Sequence, residues 1–168
     1  MNRIFFIIFF FFISTSSFSE ESIYFVDIDK VLNETSYGNK IVQKLKNINS
    51  NNLKKIENDE KELKKIEEEI NRVKNIISEE EFKKKIDNLK MKIVDYREKK
   101  NNTFREYNNL KNKELENFFT KITPLLEEFM EKNSIKIILE KKNILMAKEN
   151  YDKTNDLVNF INKKIKYD

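Results

Sequence analysis

Residues 63–96 read LKKIEEEINRVKNIISEEEFKKKIDNLKMKIVDY, and the spacing of their apolar residues decides the fold. Backward from the Ile76-Ile77-Ser78 corner, apolar side chains fall at Ile77, Val73, Ile70, Ile66 and Leu63. Forward, they fall at Phe82, Ile86, Leu89, Ile93 and Tyr96. Both series step by four, three, four, three. This is the a/d spacing of two helices that pack along one narrow seam. Because the series mirror each other about Ser78, the second helix runs back along the first, placing Ile66 opposite Leu89 and Leu63 opposite Ile93. Ser78 to Glu81 has the form S-x-x-E, in which the hydroxyl caps a new helix and the glutamate reaches back to it. Three consecutive glutamates, Glu79-Glu80-Glu81, also complement the positive start of that helix. The alternative is one uninterrupted rod, and the mirrored spacing favours the hairpin.

Working outward, the first helix is expected over residues 40–77 and the second over 79–133, with a kink at Pro124. Ser22-Ile23-Tyr24-Phe25-Val26-Asp27-Ile28 reads as a strand, short, aromatic and β-branched. Residues 29–33 read as a helical turn, and residues 34–39, which hold the chain's one glycine, as a turn. Residues 134–140 form an expected second strand, 141–143 a turn and 144–147 a third strand. Thr154 is the expected N-cap of a last helix carrying Leu157, Val158, Ile161 and Ile165. The fold class is therefore α+β. Residues 20–44 and 116–168 make a small β-rich body, and residues 45–115 a helical-hairpin arm with its tip near Ser78. Three short strands with open edges are not stable alone, so oligomerisation through Ile23, Phe25, Ile137, Leu139 and Leu145 is expected.

Composition narrows function. Of 168 residues 37% are charged, and there is no Cys and no His. This removes thiol nucleophiles, disulfides, Cys/His zinc sites, imidazole catalysis and Cys-anchored lipidation. The carboxylates lie on solvated helix faces, with no Gly-rich phosphate loop and no metal-ligand spacing, so neither an enzyme nor a cofactor is expected. Asp27 and Asp29 beside the first strand suit turn and capping roles. Net charge is +4, from 33 basic and 29 acidic residues. The two signs alternate too closely for a phosphate-tracking stripe, which argues against nucleic acid. Met1-Asn2-Arg3, an Ile/Phe run over residues 4–13 and the small polar stretch 14–19 read as a signal peptide, cleaved before Glu20. The apolar run is shorter than the roughly 20 residues a membrane anchor needs.

The opening Ile23-Tyr24-Phe25-Val26-Asp27-Ile28, then Lys30-Val31-Leu32-Asn33-Glu34 and Gly38-Asn39-Lys40, resemble the start of the Skp/OmpH family of periplasmic chaperones. So does the far end: Pro124, Ile135-Lys136-Ile137-Ile138-Leu139-Glu140 and Asp152-Lys153-Thr154-Asn155-Asp156-Leu157-Val158, which is similar to the family's D-I-T-x-x-V/L ending. The chain departs at Lys153, where the family prefers an aliphatic residue, and at Asn133-Ser134, where a Gly-containing turn is usual. The resemblance implies a homotrimer with a β-barrel body shared by three protomers and three arms around a cavity. It implies ATP-independent capture of unfolded outer-membrane proteins in the periplasm. Candidate client contacts near the tip are Ile76, Phe82, Met91 and Tyr96, although Phe82 and Tyr96 also suit the seam. Lys83, Lys84, Lys85, Lys90, Lys92 and Arg97 are candidate contacts for anionic groups. The resemblance implies lipopolysaccharide or anionic lipid as their partner; read alone, they are a solvated face. The competing function class is a membrane-anchored coiled-coil scaffold of the cell envelope.

Overall fold

The computed structural model describes residues 22–165. The expected signal peptide at residues 1–19 lies outside the described residues. In chain order the elements are β1 (Ile23–Val26), α1 (Ile28–Glu34), α2 (Ser36–Val73), α3 (Glu79–Lys132), β2 (Ile137–Glu140) and α4 (Thr154–Lys164). Single 3₁₀ turns occupy Lys141–Asn143 and Glu149–Tyr151.

The arm is the expected antiparallel hairpin. α2 ends at Val73, whose carbonyl accepts from Ile76 N at 2.9 Å and Ile77 N at 3.2 Å. α3 then restarts behind Ser78, whose Oγ accepts from Glu81 N at 3.3 Å. Every seam residue read from the sequence is buried or half-buried, with Ile70 the most enclosed. The seam also continues toward the root with the same spacing through residues hydropathy does not mark. On α2 it passes through Asp59, Ile56, Asn52, Asn49 and Leu45. On α3 it passes through Lys100, Thr103, Tyr107, Leu110 and Glu114. All are buried or half-buried. Ion pairs hold one register along the hairpin: Lys85–Glu69 at 3.7 Å, Lys99–Asp59 at 2.5 Å and Lys44–Glu114 at 2.7 Å. Each of these pairs has an exposed lysine, and such solvent-screened pairs contribute about 1 kcal/mol or less. They fix register more than they stabilise. α3 runs through Pro124 as continuous helix.

At the root, Val26, Val31, Ile41, Leu45, Phe118, Ile122, Phe129, Ile135, Leu157, Val158 and Ile161 form one core. Phe118 is its centre, fully buried, stacked on Tyr37 at 5.9 Å and edge-on to Phe119 at 5.6 Å.

Three sequence expectations need correction. Residues 34–39 are not a turn: Thr35 alone separates α1 from α2, and Gly38 lies inside the first turn of α2. The buried Thr35 hydroxyl does two jobs there, donating to Val31 O at 2.8 Å and accepting from Gly38 N at 3.2 Å. Glycine is required at 38 because a Cβ would sit 2.1 Å from Leu32 O. Residues 144–147 are not a strand. β1 pairs with β2 on one edge and with Asp152 on the other, and this segment pairs with neither strand. Its Leu145 and Met146 stand almost wholly in solvent. Finally, Thr154 is the first residue of α4 and not its cap, and its hydroxyl is used elsewhere.

Candidate functional site

The residues singled out from the sequence lie on two surfaces, the uncovered face of the sheet and the arm. β1 and β2 are parallel, with Ile23 beside Ile137, Tyr24 beside Ile138 and Phe25 beside Leu139. In a parallel pair, partners point to one side. Tyr24, Val26 and Ile138 therefore pack on the core, and Ile23, Phe25, Ile137 and Leu139 share the other face. On that face Ile23, Ile137 and Leu139 are 39%, 47% and 44% exposed. Phe25 is shielded by Lys141, whose ammonium lies 5.8 Å from the ring centroid. Phe25 also lines a depression with Ile144, Leu145, Met146 and Ala147. The structure thus brings together Ile23, Phe25, Ile137 and Leu139, and their own chain covers Phe25 but leaves the other three and Leu145 exposed.

A polar lock fixes this face to α4, and sequence reading missed it. Lys153 N donates to Phe25 O at 2.9 Å, tying the chain before α4 to β1. Asp27 N donates to Thr154 Oγ1 at 2.9 Å, and that hydroxyl in turn donates to Asp152 Oδ1. Asp152 Oδ1 also accepts from Thr154 N, and Asp152 Oδ2 pairs with Lys141 at 2.9 Å. Asp27 meanwhile caps α1, its Oδ1 accepting from Lys30 N at 2.9 Å. Burial pushes the Asp152 carboxyl up, but the Thr154 hydroxyl and amide and the Lys141 ammonium outweigh it, and the carboxyl is held below its ordinary value. The same pair raises Lys141. A depressed carboxyl contributes stability that is complete above its unfolded value, about pH 4, and is lost as pH falls through the folded value. Wild type is therefore expected to melt higher than Asp152→Asn at pH 6, with the gap narrowing as pH falls below about 4. Thermal melts across that range check this; a gap independent of pH would contradict it. The signal for the lock was the spacing D-x-T, legible as a motif but not as a contact across more than a hundred residues to Asp27.

On the arm, the candidate client contacts divide. Phe82 and Tyr96 are half-buried in the seam, and Tyr96 Oη donates to Glu60 Oε2 at 3.4 Å. Ile76 and Met91 are 80% and 68% exposed. The candidate anion contacts divide as well. Lys84 pairs with Glu80 at 2.8 Å, Lys85 with Glu69, and Lys90 with Asp87 at 3.2 Å. Lys83, Lys92 and Arg97 have no ion pair among the described residues. The six are thus spread along a solvated helix and do not converge on a pocket. Leu53 and Phe104, which the sequence places on the apolar faces of the two helices, are exposed on the arm, as is Val94. Among the described residues no helix is long and apolar enough to cross a membrane.

A helical hairpin rooted in a small α+β body, with one sheet face uncovered, defines the class of molecule. Residues 22–161 match the profile of the family described as Outer membrane protein (OmpH-like), and the chain belongs to that family. Among solved structures it is similar to a Caulobacter crescentus protein described as an OmpH-like outer membrane chaperone. That likeness has a TM-score of 0.73 at 13% sequence identity and covers 86% of this chain and 85% of that one. No curated protein matches the sequence significantly.

Proposed function

We propose that the mature chain is a periplasmic, ATP-independent holdase that assembles as a homotrimer and shields unfolded outer-membrane proteins between its arms before they insert. The observation that carries this reading is the uncovered face of Ile23, Ile137 and Leu139 at the base of a long, wet arm. A two-stranded sheet with that face open needs a partner, and further copies of the same chain supply matching faces and edges. Arms whose first helix runs about 29 residues from Leu45 to Val73, roughly 44 Å at 1.5 Å per residue, then enclose a volume large enough for an unfolded chain. Weak contacts repeated over three arms bind tightly without any strong local site. Membership of the OmpH-like family and the description of the Caulobacter crescentus protein as a chaperone support the same reading. Ile76 and Met91 are free to touch a client, whereas Phe82 and Tyr96 are engaged within the hairpin. Lys83, Lys92 and Arg97 are the cations left for lipopolysaccharide or another anionic lipid.

The test is suppression of aggregation. An outer-membrane barrel protein diluted from urea is expected to stay clear in the presence of excess chain, without nucleotide. Unchanged turbidity would defeat the proposal. N-terminal sequencing of the exported protein separates the soluble chaperone, starting near Glu20, from an anchored scaffold that retains residues 1–13.

A further inference from the structure

The two sides of the arm differ. Along α3 the seam row is Phe82, Ile86, Leu89, Ile93, Tyr96, Lys100, Thr103, Tyr107, Leu110, Glu114 and Phe118, each buried or half-buried. Along α2 the row includes Leu45, Asn49, Asn52, Ile56, Asp59, Leu63 and Ile66. A residue one place after a seam position is turned by about 100° around its helix. The two helices are antiparallel and face each other, so that turn swings both toward the same flank of the hairpin. The residue one place before a seam position swings toward the opposite flank.

Val94, Phe104 and Phe119 follow seam positions on α3, and Leu53 follows one on α2. They are 61%, 39%, 44% and 49% exposed. Apart from Ile76 at the tip and Met91 on the outer side of α3, these are the large exposed apolar side chains of the described α2 and α3. The opposite flank holds Glu62, Lys92, Asp95, Lys99, Asn102 and Glu106, which line its shallow depressions together with the half-buried seam residues Leu63, Ile66 and Tyr96. One flank therefore carries the large exposed apolar side chains, from Val94 to Phe119 over roughly 37 Å, and the apolar surface of the other is that of half-buried seam residues.

We infer that the flank carrying Leu53, Val94, Phe104 and Phe119 is the surface that touches the client, an extended unfolded chain with apolar side chains at alternate positions. The inference rests on the holdase reading and assigns its gripping surface. Spacing selects the occupant. A second folded copy needs a continuous interface of about 1,200 Å² or more. A few half-exposed side chains strung along the arm fall well below that. They suit an extended chain, whose alternate side chains meet separated apolar points in turn and are held by many weak contacts.

The experiment uses full-length mature protein and an unfolded outer-membrane barrel protein as probe. The variant combines Leu53→Gln, Val94→Gln and Phe104→Gln. It is expected to bind the client roughly tenfold more weakly, with assembly size and melting temperature unchanged. Photo-crosslinkers placed separately at positions 94 and 104 are expected to capture client, and those at 92 and 102 are not. Crosslinking reads the surface even if the combined variant folds poorly. If wild type protects the client but the variant binds within twofold, or positions 92 and 102 capture client equally, this inference falls and the chaperone reading stands. Capture of another copy instead of client from position 94 would overturn it in favour of self-association. A wild type that leaves turbidity unchanged overturns both.

Discussion

Replacing Gly38 with alanine is expected to destabilise the body by about 3 kcal/mol, read as a fall in the urea midpoint at fixed protein concentration. The sign makes the prediction sharp. Inside an ordinary helix this change stabilises by roughly 0.5–1 kcal/mol, because glycine loses more backbone freedom on folding. At position 38 the new methyl would lie 2.1 Å from Leu32 O and 2.8 Å from the Thr35 hydroxyl. The first contact is with backbone, so no side-chain rotation relieves it. α1 must move away from α2, and the carbonyl partners at the end of α1 move with it. Thr35 holds Val31 O, Asn39 Nδ2 donates to Asn33 O at 3.0 Å, and Asn162 Nδ2 donates to Glu34 O at 3.4 Å. A midpoint that stays level or rises would show that the corner is looser than this geometry.

Leu139→Asp is expected to dissociate the assembly while leaving each chain's arm helical. In the isolated chain Leu139 is 44% exposed, so a carboxylate there costs the single fold little. Buried between copies, the same carboxylate would lose its water without gaining a partner, at several kcal/mol per site. Ile137→Asp, on the same face, is expected to act alike. Sedimentation velocity and far-ultraviolet circular dichroism together check this: a monomer with wild-type helicity is the expected result. A variant that sediments as wild type would remove this face from the interface.

The arm was legible because its repeat is long and its core residues are Ile, Leu, Val and Phe. The seam between Leu45 and Leu63 was not, because Asn49, Asn52 and Asp59 hold seam positions that hydropathy scores as surface. The antiparallel register there is carried by geometry and by pairs such as Lys44–Glu114, which link residues far apart in sequence. Gly38 misled for a physical reason. Glycine usually marks a turn through backbone freedom, and here it marks the close approach of two helices. The stretch 144–147 has strand-like composition, but composition does not supply a pairing partner, and the segment pairs with neither β1 nor β2. The uncovered sheet face was legible as a set of apolar residues. That Ile23, Ile137 and Leu139 share one side of the sheet depended on a parallel register that the residues alone do not specify. The apolar flank of the arm was hidden in the same way, because its residues are scattered in sequence and meet only when the seam is drawn.

The most direct test of the account sets two proteins side by side in the aggregation assay, the mature chain and a version lacking residues 66–93, with sedimentation of each. The account predicts that both sediment as the same oligomer less the mass of the deleted segment, and that only the intact chain keeps the unfolded barrel protein in solution. Equal protection by the armless version, or no protection by either, would contradict it.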